Sequence, residues 1–87
     1  MAARRKCLEK WQQAHNEYPD SVVGVKIGKY LAFWGEDARE VNQLIGGGAL
    51  PKVGGMYFLA LSTTRKFSSA IPLVRDTLQE RLIVVQF

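Results

Sequence analysis

The sequence has few of the residue types that build disulfides, metal sites or membrane spans. It contains one cysteine and one histidine, Cys7 and His15, so an internal disulfide is excluded and no cluster of soft metal ligands exists. No run approaches about 18 apolar residues, so no segment is predicted to cross a membrane. The basic segment "MAARRKCLEKW" lacks the apolar block of a secretory signal. The scarcity of cysteine favours a reducing, cytoplasmic setting.

What is present predicts one small domain spanning residues 1–87. Hydrophobic residues make up 47% of the chain, which suits a packed core and is too high for a disordered chain. No repeat, low-complexity tract or long linker divides the sequence. Twelve Lys+Arg against eight Asp+Glu give a net charge of +4. That charge is compatible with a polyanionic partner, although many proteins that bind no nucleic acid share it.

The first half of the chain predicts a helix, a hairpin and a second helix. Residues 4–18 form the first helix, with an apolar stripe at Leu8, Trp11, His15 and Tyr18. Segments 21–27 and 29–34 are rich in β-branched and aromatic residues, and Gly28 between them indicates a tight antiparallel turn. The stretch "GEDAREVNQLIGGG" begins with acidic residues and ends with glycine, as helices do. Its apolar stripe is Ala38, Val41, Leu44 and Ile45.

The second half predicts a loop, a strand, a helix and a closing strand. Residues 46–55 are expected to form a flexible loop, and 56–62 a strand covered on both faces. Ser68 or Ser69 is expected to cap a third helix of about ten residues, with Pro72 in its first turn and an inward face of Ile71, Val74 and Leu78. Residues 81–87 form the last strand. The fold class is therefore α/β, with order α-β-β-α-β-α-β and a small mixed sheet of about four or more strands.

No constellation for catalysis is recognisable. The phosphate-loop pattern G-x-x-x-x-G-K-[ST] is absent, because Val53 follows Lys52 and the loop leads from helix to strand. His15 is predicted to pack or face solvent rather than act as a general base. Cys7 lies near basic residues, which lower a thiol pKa, but no base accompanies it. Glu36 and Asp37 are expected to cap a helix. The chain is predicted to be neither an enzyme nor a protein with a nucleotide, metal or other cofactor.

The hairpin tip combines an aromatic residue with cations. Tyr30 follows the turn, and several basic residues fall in strand ends or loops: Lys26, Lys29, Lys52, Arg65 and Lys66. An aromatic ring at such a position stacks on a base or wedges between base steps, while lysines neutralise phosphates. The alternative is an ordinary strand tyrosine with lysines that keep an edge soluble. Composition alone favours this alternative.

Four segments occur in an order and spacing that a known family shares. They are "CLEKWQQAHNEYPDSV", "IGKYLAFWGEDAREVNQLIG", "LPKVGGMYFLAL" and "FSSAIPLVRDTLQERLIVVQF". Together they resemble the N-terminal mismatch-recognition domain (domain I) of the MutS family of DNA mismatch repair proteins, over nearly the whole chain. The resemblance implies a domain I-like fold and DNA as a partner. The matching residues include Gly28, Tyr30 and the "EDA" at 36–38.

The family's aromatic-x-glutamate motif is only half present. In that family the aromatic residue stacks on a mispaired base from the minor groove, and the resemblance places it at Tyr30. The glutamate position falls on Ala32, so the carboxylate that bonds the base is missing. Lys29 replaces a usual aspartate, which favours phosphate contact. The 87 residues hold neither the family's ATPase nor its connector, lever and clamp domains, so we expect no mismatch repair by this chain alone.

Two hypotheses follow from these patterns. In the first, the domain binds duplex or distorted DNA weakly and in a salt-sensitive manner through the hairpin tip and the 46–55 loop. Its predicted contact residues are Gly28, Lys29, Tyr30, Lys52, Val53 and Gly54, with the lysines on phosphates, the ring on bases and Gly54 allowing close backbone approach. In the second, the fold is a protein-interaction or self-assembly module. The apolar segment "RLIVVQF" then offers an open sheet edge to a second copy or a protein partner.

Overall fold

The structure, a computed structural model, describes residues 2–62 and 70–87, with side chains from residue 5 onward. The helices are α1 (Ala2–Glu17), α2 (Gly35–Leu44) and α3 (Ala70–Leu78), and a 3-10 turn covers Gln79–Arg81. The strands are β1 (Val22–Ile27), β2 (Tyr30–Trp34), β3 (Lys52–Val53), β4 (Met56–Ser62) and β5 (Leu82–Gln86). The predicted element order is confirmed, with the short strand β3 as an addition.

The strands form one mixed sheet in the order β3-β4-β2-β1-β5. β1 and β2 are antiparallel and joined by a two-residue turn, and β2 pairs antiparallel with β4. β5 is parallel to β1, with Val22 opposite Leu82. The helix α3 supplies the crossover that a parallel connection needs. β1 and β2 therefore lie at the centre of the sheet, and β5 lies at one edge.

Helices cover both faces of this sheet. On one face, α1 packs against β1 and β2 around a buried cluster of Cys7, Trp11, Ala14, Val23, Val25, Ala32 and Trp34. On the other face, α2 and α3 pack over a second cluster of Val22, Leu31, Phe33, Ala38, Val41, Leu61, Ile71, Val74 and Leu78. The central strands are buried on both faces, which explains why their sequences are apolar almost throughout.

The apolar stripe predicted for α1 was wrong at its end. Cys7, Trp11 and Ala14 are the buried positions, a spacing of four and three residues that follows one face of a helix. Tyr18 is 43% exposed because the helix ends at Glu17 and the chain leaves that face. The inward faces predicted for α2 and α3 are confirmed. Ser68 and Ser69, the predicted caps of α3, lie outside the described residues.

The loop predicted at 46–55 was wrong in its second half. Lys52 and Val53 form β3 and pair with the beginning of β4. The turn between them is Gly54–Gly55, with φ of 60° and 83°, the positive values that a tight type I′ hairpin requires at both positions. The double glycine, which suggested a flexible loop, is therefore also a hairpin signal.

β4 is less covered than predicted. Ala60 is exposed, and most of the strand is half-buried rather than buried. Met56 and Phe58 pack against the α1 cluster. Ala60 alternates with them on the same face, and its exposure places it beyond the cover of α1. The apolar character of "MYFLALS" therefore overstated its burial.

Candidate nucleic-acid interface

The β1–β2 turn has a defined backbone geometry. Ile27 pairs with Tyr30, so Gly28 and Lys29 are the two turn residues. Gly28 has φ of 55°, as expected for the first position of a type II′ turn, where glycine is favoured. The Nζ of Lys26 donates a hydrogen bond of 2.8 Å to the carbonyl oxygen of Gly28. The turn is thus fixed by strand pairing and by a lysine from its own first strand.

Tyr30 is the exposed residue of β2. It is the first residue of β2, opposite Ser62 of β4, and 45% of its surface is exposed. The next residue, Leu31, is 3% exposed, and the rest of β2 is also buried. Exposure in this strand is therefore confined to the residue beside the turn. The ring is accessible to a partner, which is the condition that the stacking hypothesis requires.

The N-terminal half of α1 lies at the same end of the sheet as this turn. Residues 18–21 link the end of α1 to the start of β1, and the helix packs on that strand, so the two run antiparallel. The exposed side chains of Arg5 and Lys6 therefore extend toward the end of β1. We call this surface the tip end; its defining residues are Arg5, Lys6, Lys10, Lys26, Lys29 and Tyr30.

Lys10 connects α1 to the end of β5. Its Nζ donates a hydrogen bond of 3.1 Å to the carbonyl oxygen of Gln86 and lies 5.9 Å from the ring centroid of Phe87. Gln86 is opposite Lys26 in the sheet. Five cations thus share the tip end, where Glu9 is the one acidic side chain among those that the structure describes. Such an excess of one charge attracts a polyanion.

The predicted contact residues do not form one surface. Gly28, Lys29 and Tyr30 lie where β4 ends, because Tyr30 pairs with Ser62. Lys52, Val53 and Gly54 lie where β4 begins, because Lys52 pairs with Tyr57. Five residues of strand separate the two pairs, or roughly 17 Å. Sequence alone did not reveal that the glycine loop folds back as a hairpin at the opposite end of the sheet.

The end that holds Lys52 has a different character. We call it the anchor end; its charged residues are Glu17, Asp20, Glu36, Asp37, Arg39, Glu40, Lys52, Glu80 and Arg81. The ammonium of Lys52 lies 4.9 Å from the ring centroid of Tyr57, and the guanidinium of Arg39 lies 5.5 Å from the same ring. Arg39 also pairs with Glu36 at 3.1 Å, and Arg81 pairs with Glu40 at 3.0 Å. Acidic residues outnumber cations here, which is unfavourable for DNA.

Asp37 is the buried polar group of the anchor end. Its carboxylate accepts hydrogen bonds from Nε1 of Trp11 at 3.1 Å and from the backbone N–H of Val23 at 3.0 Å. Nδ1 of His15 lies 3.5 Å from Oδ2 of Asp37. The imidazole ring of His15 stacks on the indole ring of Trp11, with the ring centroids 4.7 Å apart. Asp37 therefore ties α1, β1 and α2 together, whereas the sequence predicted a helix cap. Together with Glu36 it lies in the first turn of α2, whose N-cap residue, Trp34, makes no side-chain capping hydrogen bond.

Burial raises the pKa of Asp37 above its ordinary value of 3.8. The hydrogen bond from Val23, the charge of His15 and the hydrogen bond from Trp11 act in the opposite direction, and Glu40 adds to the increase. The net effect is a carboxyl whose charged form is disfavoured by the fold. The sequence signal for its burial was its position four residues before Val41, on the same helical face.

A groove at the anchor end lies between α1 and the β3–β4 hairpin. Its volume is about 390 Å³, and its lining includes Trp11, His15, Glu36, Lys52, Met56 and Tyr57. Cys7 lies outside it and is fully buried, and burial raises the pKa of its thiol to about 11. The lowered thiol pKa considered from the sequence was therefore wrong, because desolvation outweighs the charge of Lys10.

Neither a metal-ligand cluster nor a helix suited to crossing a membrane is found in residues 2–62 and 70–87. Within these ranges no group of three or more histidine, cysteine, aspartate or glutamate residues could hold a metal ion. Among the helices described there, none combines the length and apolar character that a membrane crossing requires. Arg65 and Lys66, which the sequence analysis added to the basic set, lie outside these ranges.

Comparison with known proteins does not identify a relative. No protein-family model matches the chain, and no curated protein matches it. The resemblance to the mismatch-recognition domain therefore stays a prediction.

The geometry at Ala32 bears on that resemblance. Ala32 is 1% exposed and belongs to the cluster beneath α1. A glutamate at this position would be buried under the helix, and its carboxylate would be desolvated. The side-chain position of Ala32 is thus unavailable for contact with a base, whereas Tyr30, two residues earlier, is 45% exposed.

The basic residues of α1 were not predicted to lie on this surface. Lys10, Arg5 and Lys6 were not among the predicted contact residues, although they lie at the tip end. A signal for their placement was available. Only a short link separates the first helix from the first strand, and such a link brings the N-terminus of a packed helix to the far end of that strand.

Proposed function

We propose that this domain binds duplex or distorted DNA through its tip end, weakly and in a salt-sensitive manner, without ATP hydrolysis. The observation that carries the proposal is the exposed ring of Tyr30 beside the cations of the tip end. Cations neutralise phosphates, and an exposed aromatic ring stacks on a base or wedges between base steps. The resemblance to the MutS mismatch-recognition domain, offered as part of this proposal, suggests the same role for Tyr30.

The 46–55 loop has no part in this revised interface. Lys52 lies at the anchor end, beside Glu36 and near the buried Asp37. Along β4, Tyr30 and Lys52 are separated by about 17 Å, so a duplex that contacts Tyr30 need not contact Lys52. We therefore assign phosphate contacts to Lys26, Lys29 and the N-terminal cations of α1.

The size of the domain limits its affinity. Its extents are 29 × 25 × 24 Å, less than one helical turn of B-DNA, which is about 34 Å long. If three phosphates are neutralised, affinity falls about 40-fold between 50 and 200 mM salt, because each contact contributes a log–log slope of about −0.9. Binding in the micromolar range at low salt is the expected regime.

The test is a fluorescence anisotropy titration of matched and mismatched duplexes at these two salt concentrations. We expect the double variant Lys29→Ala/Tyr30→Ala to bind at least tenfold more weakly than the unsubstituted protein. The control is Lys52→Ala, which removes one cation from the anchor end and should bind as the unsubstituted protein does. Absence of binding at low salt, or equal binding by the double variant, would refute the proposal.

A further inference from the structure

β5 is an open edge whose own sequence lacks the usual protective residues, although Lys10 of α1 bonds to its last outward carbonyl. Its sequence "LIVVQ" contains no charge and no proline, and no described strand pairs with its outer side. Val84 is 43% exposed, and Phe87, immediately after the strand, is 45% exposed. Natural sheets interrupt such edges with lysine, proline, a bulge or a very short strand, because an open edge pairs with other chains.

The opposite edge of the sheet has these protective features. β3 has only two residues, Pro51 precedes it, and Lys52 is its first residue. A tight turn then reverses the chain at Gly54–Gly55. The contrast within one sheet indicates that β5 is open for a reason other than a general lack of protective residues.

The backbone direction of β5 shows which groups are available. The N–H of Phe87 donates to the carbonyl oxygen of Lys26 at 3.0 Å, so Phe87 directs its backbone toward β1. Backbone direction alternates along a strand. The backbone groups of Ile83 and Val85 therefore also face β1, while the N–H and C=O groups of Val84 and the C=O group of Leu82 point to the free edge. The N–H of Leu82 already donates to the carbonyl oxygen of Gln79. The contact of Lys10 with the outward carbonyl of Gln86 agrees with this assignment.

We infer that β5 pairs with β5 of a second copy of this chain, antiparallel and centred on Val84. In this arrangement Val84 lies opposite Val84, and Leu82 lies opposite Gln86 of the second copy. The N–H and C=O groups of Val84, the N–H of Gln86 and the C=O of Leu82 in both strands then form about four backbone hydrogen bonds, and the two sheets join into one. A closed two-fold pair satisfies both edges at once, so association ends at the dimer.

Charge complementarity favours a second copy in this orientation. Lys10 and Lys26 lie beside the end of β5, whereas Asp20 and Glu80 lie beside its beginning. Antiparallel pairing brings Lys10 of each copy next to Glu80 of the other, while Lys26 and Asp20 lie one strand further from the second copy. Parallel pairing would bring lysines next to lysines, which is destabilising. Arg81, the cation at the beginning of β5, is already paired with Glu40.

The first test uses sedimentation velocity over a concentration series at low salt. An edge this small predicts a dissociation constant in the micromolar to high-micromolar range. Val84→Pro removes an outward N–H without touching the β1–β5 ladder, so it should weaken the dimer at least tenfold and leave the circular dichroism spectrum unchanged. The control Val84→Ala keeps the N–H and should weaken the dimer by no more than about threefold.

The second test exchanges charges across the proposed interface. Lys10→Glu and Glu80→Lys should each weaken the dimer about tenfold, because each creates two like-charge contacts. The double variant, or an equimolar mixture of the two single variants, should restore the original affinity. Thermal melting of each variant checks that the fold is retained.

Two outcomes would overturn the inference. One is a monomer at about 0.5 mM and low salt, which leaves the edge to a different partner or to none. The other is a dimer that Val84→Pro does not weaken. DNA titration of Val84→Pro separates this inference from the proposed function, since Val84 lies outside the tip end and its substitution should leave DNA affinity unchanged.

Discussion

The tip end and the anchor end of the sheet both contain basic side chains, but these side chains have different hydrogen-bond and ion-pair partners. At the tip end, Lys26 and Lys10 bond to carbonyl oxygens of Gly28 and Gln86, which hold the side chains without neutralising their charge. At the anchor end, Arg39 and Arg81 meet carboxylates. The two ends therefore differ in whether carboxylates neutralise their basic side chains, and not simply in the number of those side chains. Only the cations at the end without such carboxylates create a field that attracts a polyanion.

The largest effect is expected from the anchor end. Asp37→Ala leaves the N–H groups of Trp11 and Val23 buried without an acceptor, so we expect the free energy of unfolding to fall by about 3 kcal/mol. Urea denaturation followed by tryptophan fluorescence measures this change. Asp37→Asn keeps an acceptor oxygen and should differ from the unsubstituted protein by about 1 kcal/mol or less.

The matched control for Asp37 is its neighbour. Glu36 is exposed and forms a surface ion pair with Arg39, so Glu36→Ala should change the free energy of unfolding by less than about 0.5 kcal/mol. Equal destabilisation by Asp37→Ala and Glu36→Ala would mean that the contacts of Asp37 do not hold the anchor end together.

The next effect concerns charge reversal at the two ends. Lys26→Glu/Lys29→Glu places two carboxylates at the tip end, and we expect DNA affinity at low salt to fall about 30-fold, or about 2 kcal/mol. Arg39→Glu/Lys52→Glu makes the same change of charge at the anchor end. That variant should bind DNA within about threefold of the unsubstituted protein. Similar losses in both variants would show that net charge, and not the tip end, governs binding.

A smaller effect is expected from the two glycine turns. Gly28 and Gly54 both have positive φ, with open space where a Cβ would lie. Gly28→Ala and Gly54→Ala should each lower the free energy of unfolding by about 1 kcal/mol, because an L-residue is strained in that conformation. Only Gly28→Ala should also weaken DNA binding. A loss of DNA affinity in Gly54→Ala would contradict the separation of the two ends.

The smallest effect is expected from pH. The folded-state pKa of Asp37 is raised, so the folded protein binds more protons than the unfolded chain between 3.8 and that raised value. The stabilisation from the neutral carboxyl is fully present below pH 3.8 and is lost as pH increases through the folded pKa. Asp37→Asn should therefore gain stability relative to the unsubstituted protein with increasing pH. Urea midpoints of both proteins across this range measure the difference, and a constant difference would contradict the raised pKa.

Much of the fold could be predicted from local patterns. The order of the elements, the β1–β2 turn at Gly28 and the buried Val74 follow from periodicity and turn chemistry. β3 was missed because two residues are too few for a periodic signal. Asp37 was misassigned because its position at the start of α2 also suits a cap, and only the packing of α1 shows that Trp11 and Val23 reach it.

The candidate site was predictable only in part. The exposure of Tyr30 agrees with its predicted place after a turn. Lys29 and Lys52 both fall in loops or strand ends by sequence, but the structure places them at opposite ends of β4. The roles proposed for these residues in DNA binding stay predictions. Strand order depends on contacts between distant segments, which single-segment patterns do not contain.

The parallel pairing of the outer strand has a consequence for how the domain is made. Val22 meets Leu82, sixty positions later in the chain, whereas Ile27 meets Tyr30 almost at once. Closing so long a loop carries an entropic cost before any contact compensates it. During synthesis on the ribosome, we therefore expect the β1–β2 hairpin to form early. The apolar surface under α1 is complete only when Ile83 and Val85 of β5 join it. We expect folding to end with the pairing of β5, the last strand synthesised among the described elements. Until then β1, an inner strand of the finished sheet, is an edge strand.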